Sequence, residues 1–390
     1  MSGRIVSLGC RLNSAESEAI SAMLADAPPT VVVNSCAVTA EAVRQSRRAV
    51  RRLRRENPDA RLVVTGCAAT IEQAAFAAMP EVDAVIPNAQ KLEAQAWTSR
   101  PAALAPLSRS AHTRAFVPVQ NGCDHACTFC IIPQGRGASV SLATASVLET
   151  IARHEGVNEV VLTGVDVTSW GADLPGTPQL GNLVAAILDA FPALPRLRLS
   201  SLDGIEIDPL LFKLITAEPR VMPHVHLSLQ SGNDMVLKRM KRRHSRKDAI
   251  ELVQRMKAAR PEITIGADLI AGFPTETAQM HADNVSIVRE CAVVHGHVFP
   301  YSPRPGTPAA RMPQVDPVLV RERAAAVRAQ VSAQRGQWLQ ALVGRPAQIL
   351  AERDGTGHAG HFATYRVPQC TPVGSLVTVT PTKIVEGILE

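Results

Sequence analysis

Asn121-Gly-Cys-Asp-His-Ala-Cys-Thr-Phe-Cys130 places Cys123, Cys127 and Cys130 in a C-x3-C-x2-C spacing, directly behind the apolar run Ala115 to Val119. Three thiolates on one short loop can hold three irons of a cubane iron–sulfur cluster, and the loop offers no fourth cysteine. A structural zinc site normally closes all four positions. Clusters that only transfer electrons normally carry four thiolates. One iron is thus left open for a substrate or a second cofactor. The competing reading is a zinc knuckle with His125 as fourth ligand, but His125 lies inside the loop and a second cysteine set is left unexplained.

That second set lies upstream. From residue 1 to about 90, short apolar runs alternate with helical patterns. Arg4 to Leu8 ends at Cys10, Val31 to Val33 at Cys36, and Leu62 to Val64 at Cys67. Parallel strands would carry all three cysteines to the carboxyl edge of one sheet, where open α/β sheets bind ligands. Any one of them alone reads as a small buried hydrophobe. All three at the same strand-end position point to a second three-cysteine cluster. Asn13 followed by Glu16 resembles a capping box for the first helix.

Glu41 to Glu56 reads as a helix with Val43, Ser46, Val50 and Leu53 inward. Arg44, Arg48, Arg51 and Arg55 form a stripe on the far side, flanked by Arg47, Arg52 and Arg54. A solvated face is the plain alternative. Few acidic residues interleave in sequence, which favours phosphate contacts with a nucleic acid. Leu92 to His112, rich in Ala, Pro, Ser and Arg, reads as a linker.

Beyond it, six strand candidates alternate with helices: Ala115 to Val119, Glu159 to Leu162, Arg196 to Leu199, His224 to Leu229, Ile263 to Ile270 and Val293 to Phe299. Ser141 to His154 and Arg246 to Ala259 are two of the helices. Six βα units predict a partial, open version of the eight-stranded barrel, with functional groups at the carboxyl strand ends. There stand Thr163, Gly164 and Asp166; Ser200 and Ser201; Gln230; Gly272; and Tyr301. Lys238 to Lys247, with Lys241, Arg242 and Arg243 at its centre, is the densest basic run and a candidate phosphate site. Arg321 to Leu342 reads as a long helix. Ala347 to Glu352, Phe362 to Val367 and Ser375 to Val379 then read as strands of a small β-barrel.

Composition describes an ordinary soluble globular protein. Hydrophobic residues make up 46% and charged ones 19%, with no apolar run of bilayer length and no signal peptide at the N-terminus. The net charge of +6 and pI of about 9.0 favour an anionic partner. Aromatics at 3% argue against an extended stacking platform for RNA. Cys291 and Cys370 are isolated, so thiolate metal ligation in a reducing cytoplasm explains the cysteines better than disulfides.

The cysteine loop, with Phe129 before its last cysteine, resembles the radical S-adenosylmethionine (SAM) signature. LGCRLNSAESE (8–18), NSCAVTAEAVRQSRR (34–48), VTGC (64–67), GCDHACTFCIIPQGRG (122–137), RLRLSSLD, HLSLQSGNDMVLKRMKRRHSR and DLIAGFPTET resemble the radical-SAM methylthiotransferases over nearly the whole chain. TGVDVTSWG (163–171) and VFPYSPRPGTPAARMP (298–313) resemble the branch acting on threonylcarbamoyladenosine beside the anticodon, the MtaB type. Other branches act on isopentenyladenosine or on a ribosomal-protein aspartate.

The resemblance implies a Rossmann-like, flavodoxin-like N-terminal α/β iron–sulfur domain (1–100). It also implies a partial (β/α)6 radical-SAM barrel (113–335) and a TRAM-like β-barrel (340–390). Two [4Fe-4S] clusters are implied, on Cys10, Cys36 and Cys67 and on Cys123, Cys127 and Cys130. One SAM would methylate a sulfur at the first cluster; another would be cleaved at the second to a 5′-deoxyadenosyl radical that activates the adenine C2–H. Phe129, Gly164, Asp166, Ser200 and Gln230 are the candidate SAM contacts. tRNA is the implied partner, with a flavodoxin or ferredoxin-like electron donor and no membrane.

Overall fold

The computed structural model describes residues 4–25, 27–97 and 113–390. Most of the expected linker therefore lies outside the described residues. The first sheet is parallel throughout, in the order Arg4–Ser7, Thr30–Ser35, Arg61–Gly66 and Ala84–Ile86. Its two central strands are buried along nearly their whole length, with Val32, Val33, Leu62, Val63 and Val64 fully enclosed. Helices on both faces demand such runs of branched apolar residues in place of strict alternation.

The helix Ala40–Glu56 is capped by Thr39, whose hydroxyl accepts from the Ala42 N–H. It buries Val43, Ser46, Ala49, Val50 and Leu53. The inward stripe read from the sequence is present, with Ala49 added. The capping box is not. The helix Arg11–Met23 starts behind Cys10, so Asn13 and Glu16 sit inside its first turns and are buried. Both turn inward because each has a partner from a distant part of the chain, described below.

Six parallel strands follow: Ala115–Pro118, Glu159–Thr163, Arg196–Leu199 continued by Ser201–Leu202, His224–Gln230, Thr264–Ala271 and Val293–Pro300. They form a three-stranded and a four-stranded sheet that meet at Ser200. Val117, Leu162, Leu197, Leu227, Leu269 and Val293 fill the core between these strands and their helices. The long helix spans Pro317–Gln340, four residues earlier than the sequence suggests, because Asp316 caps it and Pro317 opens it. Proline suits a first turn, whose N–H groups have no intrahelical partner.

The tail forms a six-stranded mixed sheet. It adds Thr356–Ala359, Ile384–Val385 and Ile388–Leu389 to the three strands expected. This sheet docks against the amino ends of the barrel strands. Arg196 donates to the Gln348 carbonyl at 2.6 Å and Arg198 to the Gly360 carbonyl at 3.0 Å. Glu159 lies fully buried beneath them, 2.6 Å from Arg114 and 2.9 Å from Arg198. Burial alone would raise the Glu159 pKa, but Arg198 and Arg114 outweigh it and hold the carboxyl at about 2.

Candidate cluster and substrate site

The three N-terminal cysteines leave their strands at one sheet edge. Cys10 is exposed at the N-terminus of its helix, Cys36 is buried behind Thr30–Ser35, and Cys67 opens the short helix Cys67–Ile71. Gly9 makes the approach possible. Its φ is +93°, and a Cβ there would stand 2.7 Å from the Cys36 Sγ. Only glycine meets both demands. Burial pushes the Cys36 thiol up to about 11, and Cys67 and Cys10 beside it add to the shift. Cys67 and Cys10 are therefore near enough to Cys36 to oppose its charge. A cation would reverse it. The Asn88 amide also donates toward the Cys67 Sγ at 3.5 Å.

The second triad is fixed by backbone bonds across its loop. Cys123 N–H donates to the Gly137 carbonyl at 3.2 Å, and Cys130 N–H to that of Cys127 at 3.2 Å. Burial pushes Cys123 up to about 12 and Cys130 up to about 11. Cys127 goes the other way. Burial would raise it, but His125 and Arg242 bring it below the usual thiol value, with Arg242 Nη1 3.7 Å from its Sγ.

Cys123, His125 and Asp166 place ligand atoms within 4.8 Å of one another, the grouping a zinc reading needs. Yet His125 stands 3.0 Å from Asp166 and 3.4 Å from Glu206, and its hydrogen bonds to Cys127 and Glu206 raise it to about 10.

The two triads adjoin each other. The helix Ile132–Arg136, immediately after the loop, lies against Cys67–Ile71. A Cβ on Gly135 would stand 3.2 Å from the Cys67 Cβ. Arg136 reaches across and grips Glu16 with both nitrogens, at 2.8 and 2.9 Å, while bonding Asn13 and Asn121. Lys91 completes the group at 2.6 Å from Glu16. Burial would lower the Arg136 pKa, but Glu16 holds it above the ordinary value.

The donor sets fit clusters with one open iron. Each set offers three free cysteines. Of the other cysteines, Cys291 is buried before Val293–Pro300 and Cys370 is exposed beyond Thr364–Arg366.

The remaining expected residues are placed unevenly. Asp166 joins the cluster loop, 3.7 Å from the Cys123 Sγ. Gly164 gives room to Gln120, whose side-chain carbonyl receives the N–H groups of Val165 and Asp166. Phe129 packs edge-on to Phe273 at 6.4 Å, within an apolar cluster that includes Tyr301. The Ser200 hydroxyl is buried and makes no hydrogen bond among the described residues, and Gln230 holds a left-handed φ of +63°.

Arg44, Arg48, Arg51 and Arg55 are exposed, as a docking face requires. The sparse acid seen along the sequence is not the arrangement in space, however. Arg44 and Arg48 share Glu41, and Arg51 lies 3.8 Å from Glu81. In the basic run Lys241 is exposed. Arg242 instead has a side chain only 7% exposed, bonded to Asp203 and the Ser228 carbonyl. It serves the cysteine loop and is withdrawn from the surface expected of a phosphate contact. Arg243 pairs with Glu206 at 2.6 Å.

Two features escaped sequence reading. His226, Asp268 and His297, from three adjacent strands, form a bonded triad: the Asp268 Oδ1 lies 3.0 Å from His226 Nε2 and 3.1 Å from His297 Nδ1. Nearer the barrel's amino end, Phe362 of the tail enters between His224, His295, Arg198 and Arg11. Alternating histidines on two strands were the available signal for both.

The radical SAM superfamily pattern matches residues 117–285, and a pattern described as Uncharacterized protein family UPF0004 matches residues 3–87. A TM-score of 0.52 at 16% identity relates the fold to the radical SAM methyltransferase TsrM from Kitasatospora setae, over 77% of this chain and 66% of that one. The chain thus spans just under two thirds of that structure.

Folded around the C-x3-C-x2-C loop, the protein is a radical-SAM enzyme. It is 41% identical to a threonylcarbamoyladenosine tRNA methylthiotransferase from Rickettsia prowazekii, over 99% of this chain and 96% of the relative. It is also 31% identical to a tRNA-2-methylthio-N(6)-dimethylallyladenosine synthase from Roseobacter denitrificans, over 98% and 96%. The chain belongs to the radical-SAM tRNA methylthiotransferase family. No helix among the described residues is long and apolar enough to cross a membrane.

Proposed function

We propose that this enzyme converts N6-threonylcarbamoyladenosine at position 37 of tRNA to its 2-methylthio derivative. The full-length relative at 41% identity carries that activity in its name. The observation that carries the reading is the junction of the two triads, where Gly135 packs on Cys67 and Arg136 is locked to Glu16. Sulfur delivery and C–H activation must reach one carbon, and only adjoining sites can serve both.

In this reading Cys10, Cys36 and Cys67 hold one [4Fe-4S] cluster and Cys123, Cys127 and Cys130 a second. When bound, the clusters and SAM supply the methylated sulfur and the radical that the unactivated adenine C2–H requires. The chain's own residues position these groups. Arg242 and His125 favour the Cys127 thiolate, and Asp166 orders the loop through His125. Asp166, Gly164, Ser200, Gln230 and Phe129 border the SAM pocket. Arg44, Arg48, Arg51, Arg55 and Lys241 meet tRNA phosphates, and a flavodoxin or ferredoxin-like protein supplies electrons in the cytoplasm. Residues 1–100, 113–335 and 340–390 act as three domains.

The test is anaerobically reconstituted enzyme with dithionite, SAM and anticodon stem-loops carrying either threonylcarbamoyladenosine or dimethylallyladenosine. Methylthiolation of the first is expected. Methylthiolation of the second alone would transfer the enzyme to the other branch. A full iron load without 5′-deoxyadenosine would make the chain a non-catalytic iron–sulfur module.

A further inference from the structure

All four strands of the first sheet run parallel, so their carboxyl ends share one edge. Three of them lead to the cysteines. The fourth, Ala84–Ile86, leads to Asn88 two residues further on. The Asn88 side-chain Nδ2 donates to the Cys67 Sγ at 3.5 Å and to the Gly135 carbonyl at 2.5 Å. Its backbone N–H donates to the Thr70 hydroxyl at 2.9 Å, and that hydroxyl donates to the Gly66 carbonyl at 3.0 Å. Asn88 is thus anchored to the turn that carries Cys67. One amide touches a sulfur of the first triad and the helix that follows the second.

The orientation of that amide is decided by its neighbours. Both groups facing Nδ2 are acceptors, so the reversed amide would set its carbonyl against a sulfur and another carbonyl. As it stands, the Asn88 Oδ1 is buried and has no hydrogen-bond partner among the described residues. An unmet acceptor is costly, and an apolar side chain of the same size would avoid that cost. The fold keeps the donor on the sulfur instead, and the bond to Gly135 stops the amide from rotating away.

We propose that Asn88 is a positioning residue that raises the reduction potential of the cluster on Cys10, Cys36 and Cys67 through its N–H···S bond to Cys67. The inference rests on the proposed reading of that triad as a [4Fe-4S] site. A cluster that takes up one electron gains negative charge, part of it on the ligand sulfurs. A donor aimed at one of those sulfurs therefore favours the reduced form. Lys91 and Arg136 also stand near Cys67, but both are tied to Glu16. A neutral replacement of Asn88 leaves the charges of all three in place, so it isolates the hydrogen bond.

The test uses the full chain with Cys123→Ala, Cys127→Ala and Cys130→Ala, which retains the first triad alone, reconstituted anaerobically with iron and sulfide. Its midpoint potential is read by redox titration followed by electron paramagnetic resonance. Asn88→Leu, neutral and of similar size, is expected to disfavour reduction roughly tenfold, a fall of about 59 mV for one electron. Asn88→Asp, which sets a carboxylate against the sulfur, is expected to lower the potential further. In the complementary chain with Cys10→Ala, Cys36→Ala and Cys67→Ala, Asn88→Leu is expected to leave the potential of the second cluster unchanged.

An unchanged potential of the first cluster in Asn88→Leu overturns the proposal. So does an equal fall in both chains, which marks a general loosening of the junction. Loss of the cluster from both Asn88 variants also overturns it, because the residue is then a scaffold for Cys67 and no modulator of a formed cluster. If Asn88→Leu alone loses the cluster, Asn88→Asp decides, and a potential that does not fall overturns it. Failure of the parent chain to hold a cluster with Asn88 intact defeats the underlying reading of the triad instead, a distinct result.

Discussion

Arg136 holds Glu16 with two parallel hydrogen bonds of 2.8 and 2.9 Å, in a setting where both side chains are almost fully buried. Arg136 stands six residues beyond Cys130 and Glu16 six beyond Cys10. The pair is therefore a strut between the two cysteine sites. Removing one partner of a buried, multiply bonded pair costs roughly 3–5 kcal/mol, because the other charge is left without compensation. Arg136→Ala should lower the unfolding midpoint and uncouple the reaction. The ratio of 5′-deoxyadenosine to methylthiolated product, measured on the surviving folded enzyme, should rise well above the wild-type ratio.

The two triads should be separable by mutation. Cys127→Ala should abolish both deoxyadenosine and product. Cys36→Ala should keep some SAM cleavage while losing sulfur transfer. Chromatographic analysis of both products in single turnovers distinguishes them. Loss of cleavage in both variants would deny that the sites have separate tasks.

Gly9→Ala tests the geometry of the first site without touching a ligand. The added Cβ meets Cys36 at 2.7 Å in a backbone conformation that alanine resists. About half of the bound iron should be lost, since ligand geometry and metal affinity are linked. Iron and sulfide assays on the purified variant read the result, and an undiminished iron load would contradict it.

Glu159 makes a pH prediction. Its folded pKa is depressed to about 2 from an ordinary 4.5, so the stability it contributes is fully present above 4.5 and is lost as pH falls toward 2. Glu159→Gln should destabilise the docking of the tail on the barrel by a few kcal/mol at neutral pH. The wild-type advantage in denaturant midpoint should narrow only below pH 4.5. An advantage that is flat with pH would mean that this carboxylate does not hold the interface.

Replacing Arg44, Arg48, Arg51 and Arg55 with Ala should weaken tRNA binding. It should also flatten its salt dependence, by roughly 0.7–0.9 in the log–log slope for each phosphate contact removed. Filter binding across salt concentrations checks this. An unchanged slope would leave the helix as a solvated face, its arginines occupied by Glu41 and Glu81.

The strands and the cysteines at their ends were legible because parallel strands are apolar along their length and stop at the residue that carries the chemistry. Val31 to Val33 before Cys36 shows this most clearly. Less regular elements were harder to read. Thr356–Ala359 is a threonine, two small residues and a histidine, with no apolar alternation to announce a strand.

Local patterns misled where a tertiary partner took the side chain. Asn13 and Glu16 have the spacing of a cap but face Arg136 across the junction, and Arg242 belongs to a basic run yet turns inward to Asp203.

The most direct measurement is nucleoside mass spectrometry of tRNA from a strain lacking this enzyme. The proposed function predicts that 2-methylthio-N6-threonylcarbamoyladenosine disappears and its unthiolated precursor accumulates. Persistence of the methylthio nucleoside, with no second enzyme in the strain able to make it, would contradict the assignment.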